Sequence, residues 1–401
     1  MNKPSESPTL FIHSIIHSFI VTHMAKNDNP NNQNFNYITY GSKCNSTELE
    51  GFLNHVLKKT FVEPPKDYEP PTPVCIWGRH GVGKTQIVRT LAEKLGAEFV
   101  YIAPAQFEEM GDLVGMPKID EDGQKTHFVA PDWVPRTEGP GVFLIDDVNR
   151  ADDRILRGIM QLLQNYELVS WRMPAKWHIV LTANPDGGDY SVTSMDDAMI
   201  TRMLHVTLQF DVQSWARWAE AAKTDPRGIA FILTYPEMVT GNRTTPRSLV
   251  QFFKETEKID DLADNLPLVK MLADACLDEE TAAAFLSFVK LQLNQLVTPE
   301  EIIGAKKFET IAKHLRGLVD QKTKRLDILS VICTRLINFL IVNNTQLDKE
   351  QTENLKQFIL LDFIPNDMRL FMAQELVNSS NNSLKKLLAV PEIGKLILAK
   401  M

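Results

Sequence analysis

The 401-residue sequence predicts an α/β core with a largely parallel sheet, followed by an α-helical lid and a C-terminal helical extension. Three observations carry this expectation. Short, mostly apolar runs alternate with amphipathic helical segments between residues 74 and 208, the pattern of strands buried on both faces. A glycine-rich loop sits between the first of these runs and a helix. From Asp211 onward the strand pattern fades and helical periodicity takes over.

Taken in order, residues 1–45 read as a flexible leader, rich in Asn, Lys and Asp after residue 25. Its apolar stretch, residues 9–24, falls short of the roughly 18 residues that span a bilayer and is broken by His13, His17 and His23. His13 and His17 share a helical spacing suited to metal ligation, but no third ligand accompanies them, and a floppy leader or an unused upstream start before Met24 is the simpler reading. A helix is expected from Ser46 to about Lys59, then a proline-rich break over 64–73. Strands follow at Val74 to Trp77, Phe99 to Ile102, Val142 to Ile145, His178 to Thr182 and Leu204 to Leu208. Helices are expected from Thr85 to Leu95 and from Asp152 to Gln164. The expected domains are therefore 46–210 for the α/β core, 211–297 for the helical lid and 298–401 for a C-terminal helical region. Within the lid, helices are expected from Val212 and over Ser248 to Ile259; Leu326 to Val342 is a further helix beyond it.

Composition bounds the function. A net charge of −8 provides no global attraction for nucleic acid, and no segment is long and apolar enough to demand a membrane. Four widely spaced cysteines, Cys44, Cys75, Cys276 and Cys333, suit neither a zinc site nor a disulfide framework, so a reducing cytoplasm is expected.

The chemistry lies in Gly78-Arg79-His80-Gly81-Val82-Gly83-Lys84-Thr85, followed by Gln86. This is the complete phosphate-loop pattern, with one additional glycine at position 81. Glycines let several backbone N–H groups point into one concavity, and the helix that follows adds the positive end of its dipole. Lys84 is placed to meet the β- and γ-phosphates of ATP and Thr85 to hold Mg²⁺. About sixty residues later an apolar strand ends in Asp146-Asp147, with Asp146 on the Mg²⁺ side.

Asp146-Asp-Val-Asn-Arg-Ala151, Leu181-Thr-Ala-Asn184-Pro185, Met195-Asp-Asp-Ala-Met-Ile-Thr-Arg202 and Thr245-Pro-Arg247-Ser occur in the order found in AAA+ ATPases, and the chain resembles their MoxR-like group over residues 46–260. The resemblance implies that Asn184 helps to orient the attacking water and that Arg202 is a finger reaching the nucleotide of a neighbouring subunit. It further implies that Arg247 sits on the lid over the bound nucleotide. Asp147 stands where the family usually has Glu, one methylene longer, so efficient hydrolysis is in question. The family's Asp-Leu-x-Gly stretch is similar to Asp112-Leu-Val-Gly115, near which Phe107 and Trp133 either face a central pore or pack within the domain. Trp215 and Trp218 are expected to be core. The implied partners are further copies in a ring, expected as a hexamer, and a protein client, with von Willebrand factor A domain proteins as the family's frequent choice. The functions weighed are a chaperone-like ATPase that remodels a protein or complex, an ATP-controlled scaffold with weak hydrolysis and, last, a DNA-associated motor or loader.

Overall fold

The computed structural model describes residues 40–62, 70–185, 192–239, 242–290, 297–319, 326–342 and 346–379, with Leu384 and Ile393. The expectations for residues 1–39, including the His13/His17 pair, lie outside the described residues.

Strand β1 (Ser42–Cys44) and helix α1 (Ser46–Val62) lead into β2 (Val74–Trp77), α2 (Lys84–Lys94) and β3 (Glu98–Ile102). The short helix α3 (Met110–Val114) and a hairpin, β4 (Met116–Ile119) with β5 (Thr126–Val129), precede β6 (Gly141–Ile145). A 3₁₀ turn, Val148–Arg150, leads into α4 (Asp153–Asn165). The small hairpin β7 (Glu167–Leu168) and β8 (Trp171–Arg172) is followed by β9 (Trp177–Ala183), α5 (Asp197–Ile200) and β10 (Leu204–Leu208). The main sheet has the order β1-β10-β2-β9-β6-β3, parallel throughout.

Alternation along the central strands sorts their apolar side chains onto two faces. Val74, Ile76, Val142, Leu144 and Val180 pack under α1 and α2 with Leu49, Leu53, Leu57, Val88 and Leu91. Cys75, Trp77, Phe143, Ile145, Ile179 and Leu181 face the other way, onto Ile155, Ile159 and Leu162 of α4. Both faces are dry, which is why these runs lack a polar partner at every second position.

The sequence reading places residues 40–45 in the leader; instead Ser42–Cys44 forms the sheet edge beside β10, and Tyr40 stacks on Trp77 at 4.4 Å. Three residues carry no periodicity of their own, so this strand exists only through its neighbour.

After β10 the chain is helical: α6 (Val212–Ala221), α7 (Pro226–Thr234), α8 (Pro246–Thr256), α9 (Leu266–Cys276) and α10 (Glu279–Lys290). Then come α11 (Pro299–Ile303), α12 (Phe308–Val319), α13 (Leu326–Val342), α14 (Lys349–Ile359) and α15 (Asn366–Asn378). Helix α8 begins two residues earlier than expected, because Thr245 and Ser248 form a reciprocal capping box with Pro246 at the first helical position. One apolar cluster runs from Trp215 to Ile393, so packing continues through position 297, where a boundary was expected. Trp215 is part of that cluster, whereas Trp218 is 44% exposed.

Candidate functional site

Strand register assembles the site. Trp77 pairs with Ala183 and Ile145 with Leu181, so the chain leaves β2, β6 and β9 at one carboxyl edge. Gly78, Asp146 and Asn184 are thereby brought together, at the edge where open parallel sheets hold ligands. Two backbone hydrogen bonds fix their exit directions, Gly78 N–H to the Ala183 carbonyl at 3.2 Å and Asp146 N–H to that of Ile102 at 2.8 Å.

The glycine loop closes tightly over Lys84. Gly83, with φ +99°, directs the chain into α2, and Gly81, with φ +74°, lies against the lid. A Cβ at Gly81 would stand 2.7 Å from Thr245 Oγ1, so only glycine permits this approach. Gly81 also accepts a hydrogen bond from the Arg247 N–H at 3.2 Å, and His80 Nε2 lies 3.0 Å from the Asn242 carbonyl. Loop and lid thus meet through the residues at the start of α8.

Lys84 is buried, and its ammonium donates to the carbonyls of Gly78 (2.7 Å) and Arg79 (3.2 Å) and to Asn184 Oδ1 (3.3 Å). Burial pulls its pKa down from 10.5 to about 8; Asp147 and Asp146 act against that, while Arg247 and Arg150 reinforce it. Asp146 Oδ1 accepts from Thr85 Oγ1 at 2.7 Å and from Thr182 Oγ1 at 2.6 Å, and Oδ2 accepts from the Tyr101 hydroxyl at 3.1 Å. Thr85 donates its proton to the carboxylate and keeps its lone pairs for a cation. One hydroxyl and one carboxylate oxygen form a hard, incomplete donor set, which fits Mg²⁺ completed by phosphate and water rather than zinc.

Asn184 is fully buried, with its Oδ1 on Lys84 and its Nδ2 without a hydrogen-bond partner. A buried, unsatisfied donor beside the phosphate-loop lysine is matched to an incoming oxygen acceptor. Asp147 adopts the left-handed conformation, φ 48° and ψ 46°; its N–H donates to Thr182 Oγ1 at 2.8 Å, and its Oδ2 lies 3.4 Å from Arg150 Nε. The left-handed region is one that Asp tolerates better than most residues.

The remaining sequence-derived candidates fall in different places. Val82 packs on the α1/α2 face of the sheet, and Gln86 is exposed, bonding Thr90 along α2 at 3.1 Å. The Arg247 guanidinium is exposed beside the loop and makes no hydrogen bond among the described residues. Arg202 stands apart, donating to the Ala198 carbonyl and, at 3.3 Å, to Gln164 Oε1. None of its hydrogen bonds reaches Lys84, Thr85, Asp146, Asp147 or Asn184. Phe107 and Trp133 stack on each other at 6.1 Å, and Trp133 continues onto Phe143 at 5.8 Å and Trp171 at 5.6 Å; of the two alternatives this is packing within the domain.

Sequence reasoning assigned no role to Tyr101, Thr182, Asn149 or Arg150. Asn149, Arg150 and Thr182 lie inside the motifs quoted above, so their positions are visible in the sequence while their contacts are not.

Residues 73–203 match the family model for the AAA domain of the dynein-related subfamily. Over this stretch the chain is similar to an AAA domain. With the parallel sheet and the phosphate loop, it gives the core the AAA+ form of the P-loop fold. Among solved structures, a proline-to-glycine variant of Thermotoga maritima RuvB is 13% identical with a TM-score of 0.37, over 71% of this chain and 87% of that one. The T. maritima RuvB Holliday junction branch migration motor is 14% identical with a TM-score of 0.34, over 77% and 94%. A candidate ATPase of Cytophaga hutchinsonii is 15% identical with a TM-score of 0.31, over 73% and 85%. No curated protein matches the chain. Among the described residues no helix is long and apolar enough to cross a membrane.

Proposed function

We propose that this protein binds and hydrolyses ATP at the loop Gly78–Thr85 and uses the cycle, as a MoxR-like ring, to remodel a protein or protein complex. The hydrogen-bonded set that joins Lys84 to Asn184 and Thr85 to Asp146, with Asn184 Nδ2 left unpaired inside it, carries this reading. Lys84 exchanges loop carbonyls for phosphate oxygens, and Asn184 turns its amide toward the terminal phosphate. Asp147 polarises the attacking water. Thr85 and Asp146 would hold Mg²⁺, which would supply positive charge against the phosphates. Arg247 contributes a charge from the lid of the same chain. The position of Arg202, bonded away from its own loop, supports service to the neighbouring subunit, which requires a ring, most simply a hexamer. The client is a protein, with a von Willebrand factor A domain protein as the first candidate, and the compartment is the cytoplasm.

A second reading, an ATP-controlled scaffold with weak turnover, is favoured by Asp147 itself. Its carboxylate is short and engaged by Arg150, and a water misplaced by about 1 Å can cost a hundredfold in rate. Steady-state phosphate release separates the two. Turnover that rises with protein concentration and vanishes in Arg202→Ala, with ATP binding retained, supports the remodelling ATPase. A wild-type protein that binds ATP without turnover supports the scaffold, and a fully active Arg202→Ala protein refutes the shared site.

A further inference from the structure

Asn149 is completely buried in the 3₁₀ turn that follows Asp146 and Asp147, and it bonds in three directions. Its Nδ2 donates to the Asn184 carbonyl at 2.8 Å, while its Oδ1 accepts from the Asn184 N–H at 3.0 Å. This reciprocal pair holds the Asn184 backbone from both sides, as a neighbouring strand would, at a point where β6 has already ended. The Asn149 carbonyl accepts from the Thr193 N–H at 2.8 Å, and Thr193 Oγ1 donates to the Ala151 carbonyl at 2.8 Å. Two residues beyond Thr193, Met195 is buried in the core, and Asp196 caps α5 by accepting from the Met199 N–H at 2.7 Å. Arg202 lies two residues beyond the end of α5, after Thr201.

We propose that Asn149 is a positioning residue that couples the two halves of the shared site, holding Asn184 at its own subunit's nucleotide and seating the Thr193–Arg202 segment that serves the next one. The inference rests on the ATPase reading above. Only asparagine has a donor and an acceptor at this reach. Aspartate keeps the Oδ1 acceptor, loses the donor to the Asn184 carbonyl and buries a charge; alanine loses both bonds. The side-chain clamp pins the turn to the Asn184 backbone, and the same turn's main-chain carbonyl seats Thr193, so loss of the clamp frees Asn184 directly and Arg202 through the unpinned turn, without removing either side chain or touching Lys84. Nucleotide affinity is therefore expected to survive while turnover falls.

Mixed assemblies test the coupling across the interface. Arg202→Ala subunits keep an intact pocket but lack a finger, and Asp147→Asn subunits bind ATP without hydrolysing it and keep the finger. Mixing the two in saturating MgATP should restore phosphate release, because the second supplies fingers to the first. Adding Asn149→Ala to the Asp147→Asn donor should reduce the restored rate by about tenfold or more, as expected for a displaced catalytic charge. The pocket that turns over retains its own Asn149, so the loss is transmitted through the donor's Arg202. Equal restoration with and without Asn149→Ala overturns the coupling. Failure of the first mixture instead overturns the shared-site reading, so the two failures are distinguishable. Should the Asn149→Ala donor not fold, as judged by its thermal transition and calorimetric MgATP binding, Thr193→Val in the donor removes the bond to Ala151 alone. A reduced restored rate with that variant supports the coupling, and an undiminished one overturns it.

Discussion

On the proposed reading, raising the pH from 7 to 9 should weaken MgATP binding by about tenfold, because the lysine proposed to meet the phosphates loses its proton before nucleotide binds. Burial holds the Lys84 ammonium at a pKa of about 8. It is then about nine-tenths charged at pH 7 and about one-tenth charged at pH 9. Phosphate oxygens stabilise the charged form, so binding at higher pH must first return a proton to Nζ. The tenfold difference corresponds to about 1.4 kcal/mol. Calorimetric titration with MgATP at pH 7, 8 and 9, in two buffers of different ionisation heat, reads both the affinity and the protons taken up. Uptake should be about 0.5 proton per site at pH 8 and approach one at pH 9. Lys84→Arg, charged throughout this range, should show no such uptake. The same group affects folding with a definite sign. A depressed lysine pKa means that the unfolded chain binds more protons between pH 8 and 10.5, so stability of the ligand-free protein rises through that window. Relative to Lys84→Met, the wild type should gain about 2 kcal/mol between pH 7 and 9.5 in denaturant titrations. Unchanged affinity up to pH 9 with no proton uptake would refute the argument.

Other substitutions probe separate parts of the account. Gly81→Ala places a methyl group against Thr245 in a left-handed backbone and should cost about 1–3 kcal/mol, read as a lowered thermal transition with weakened nucleotide binding. Asp147→Glu should leave ATP affinity within about twofold, since the residue contacts no phosphate-loop group. Phosphate release should rise severalfold if chain length limits turnover, and no change would show that the left-handed backbone sets the rate. Asp225→Ala removes the cap of α7 and the partner of the mostly buried Arg227, and should destabilise by about 3 kcal/mol in urea titrations. Leu53→Ala, in the centre of α1, should cost about 2–5 kcal/mol while leaving turnover per folded molecule unchanged.

The strands were legible wherever both faces of the sheet are dry, because an unbroken apolar run such as Val142 to Ile145 permits few other structures. Register and order were not legible, and every missed contact at the site depends on them. Tyr101 reaches Asp146 only because β3 lies beside β6, and Thr182 reaches it only because β9 lies on the other side. Asn149 was visible as a motif letter, yet its value comes from the segment that the fold brings to it, residues 184 and 193. The extra glycine at position 81 was noticed as permissive; its reason, the approach of Thr245 more than 160 positions later, is tertiary. The edge strand Ser42–Cys44 was lost for the same reason, since β10 supplies the order that its three residues lack.

The central claim is that Lys84, Thr85, Asp146 and Asn184 form one nucleotide site. Calorimetric titration of MgATP into the wild type and Lys84→Ala tests it most directly. The account predicts saturable binding of one nucleotide per chain in the wild type and a loss of affinity of at least about a hundredfold in the variant, in keeping with removal of a buried, charge-assisted contact. Equal affinity in a folded Lys84→Ala protein, or no binding to either, would contradict it.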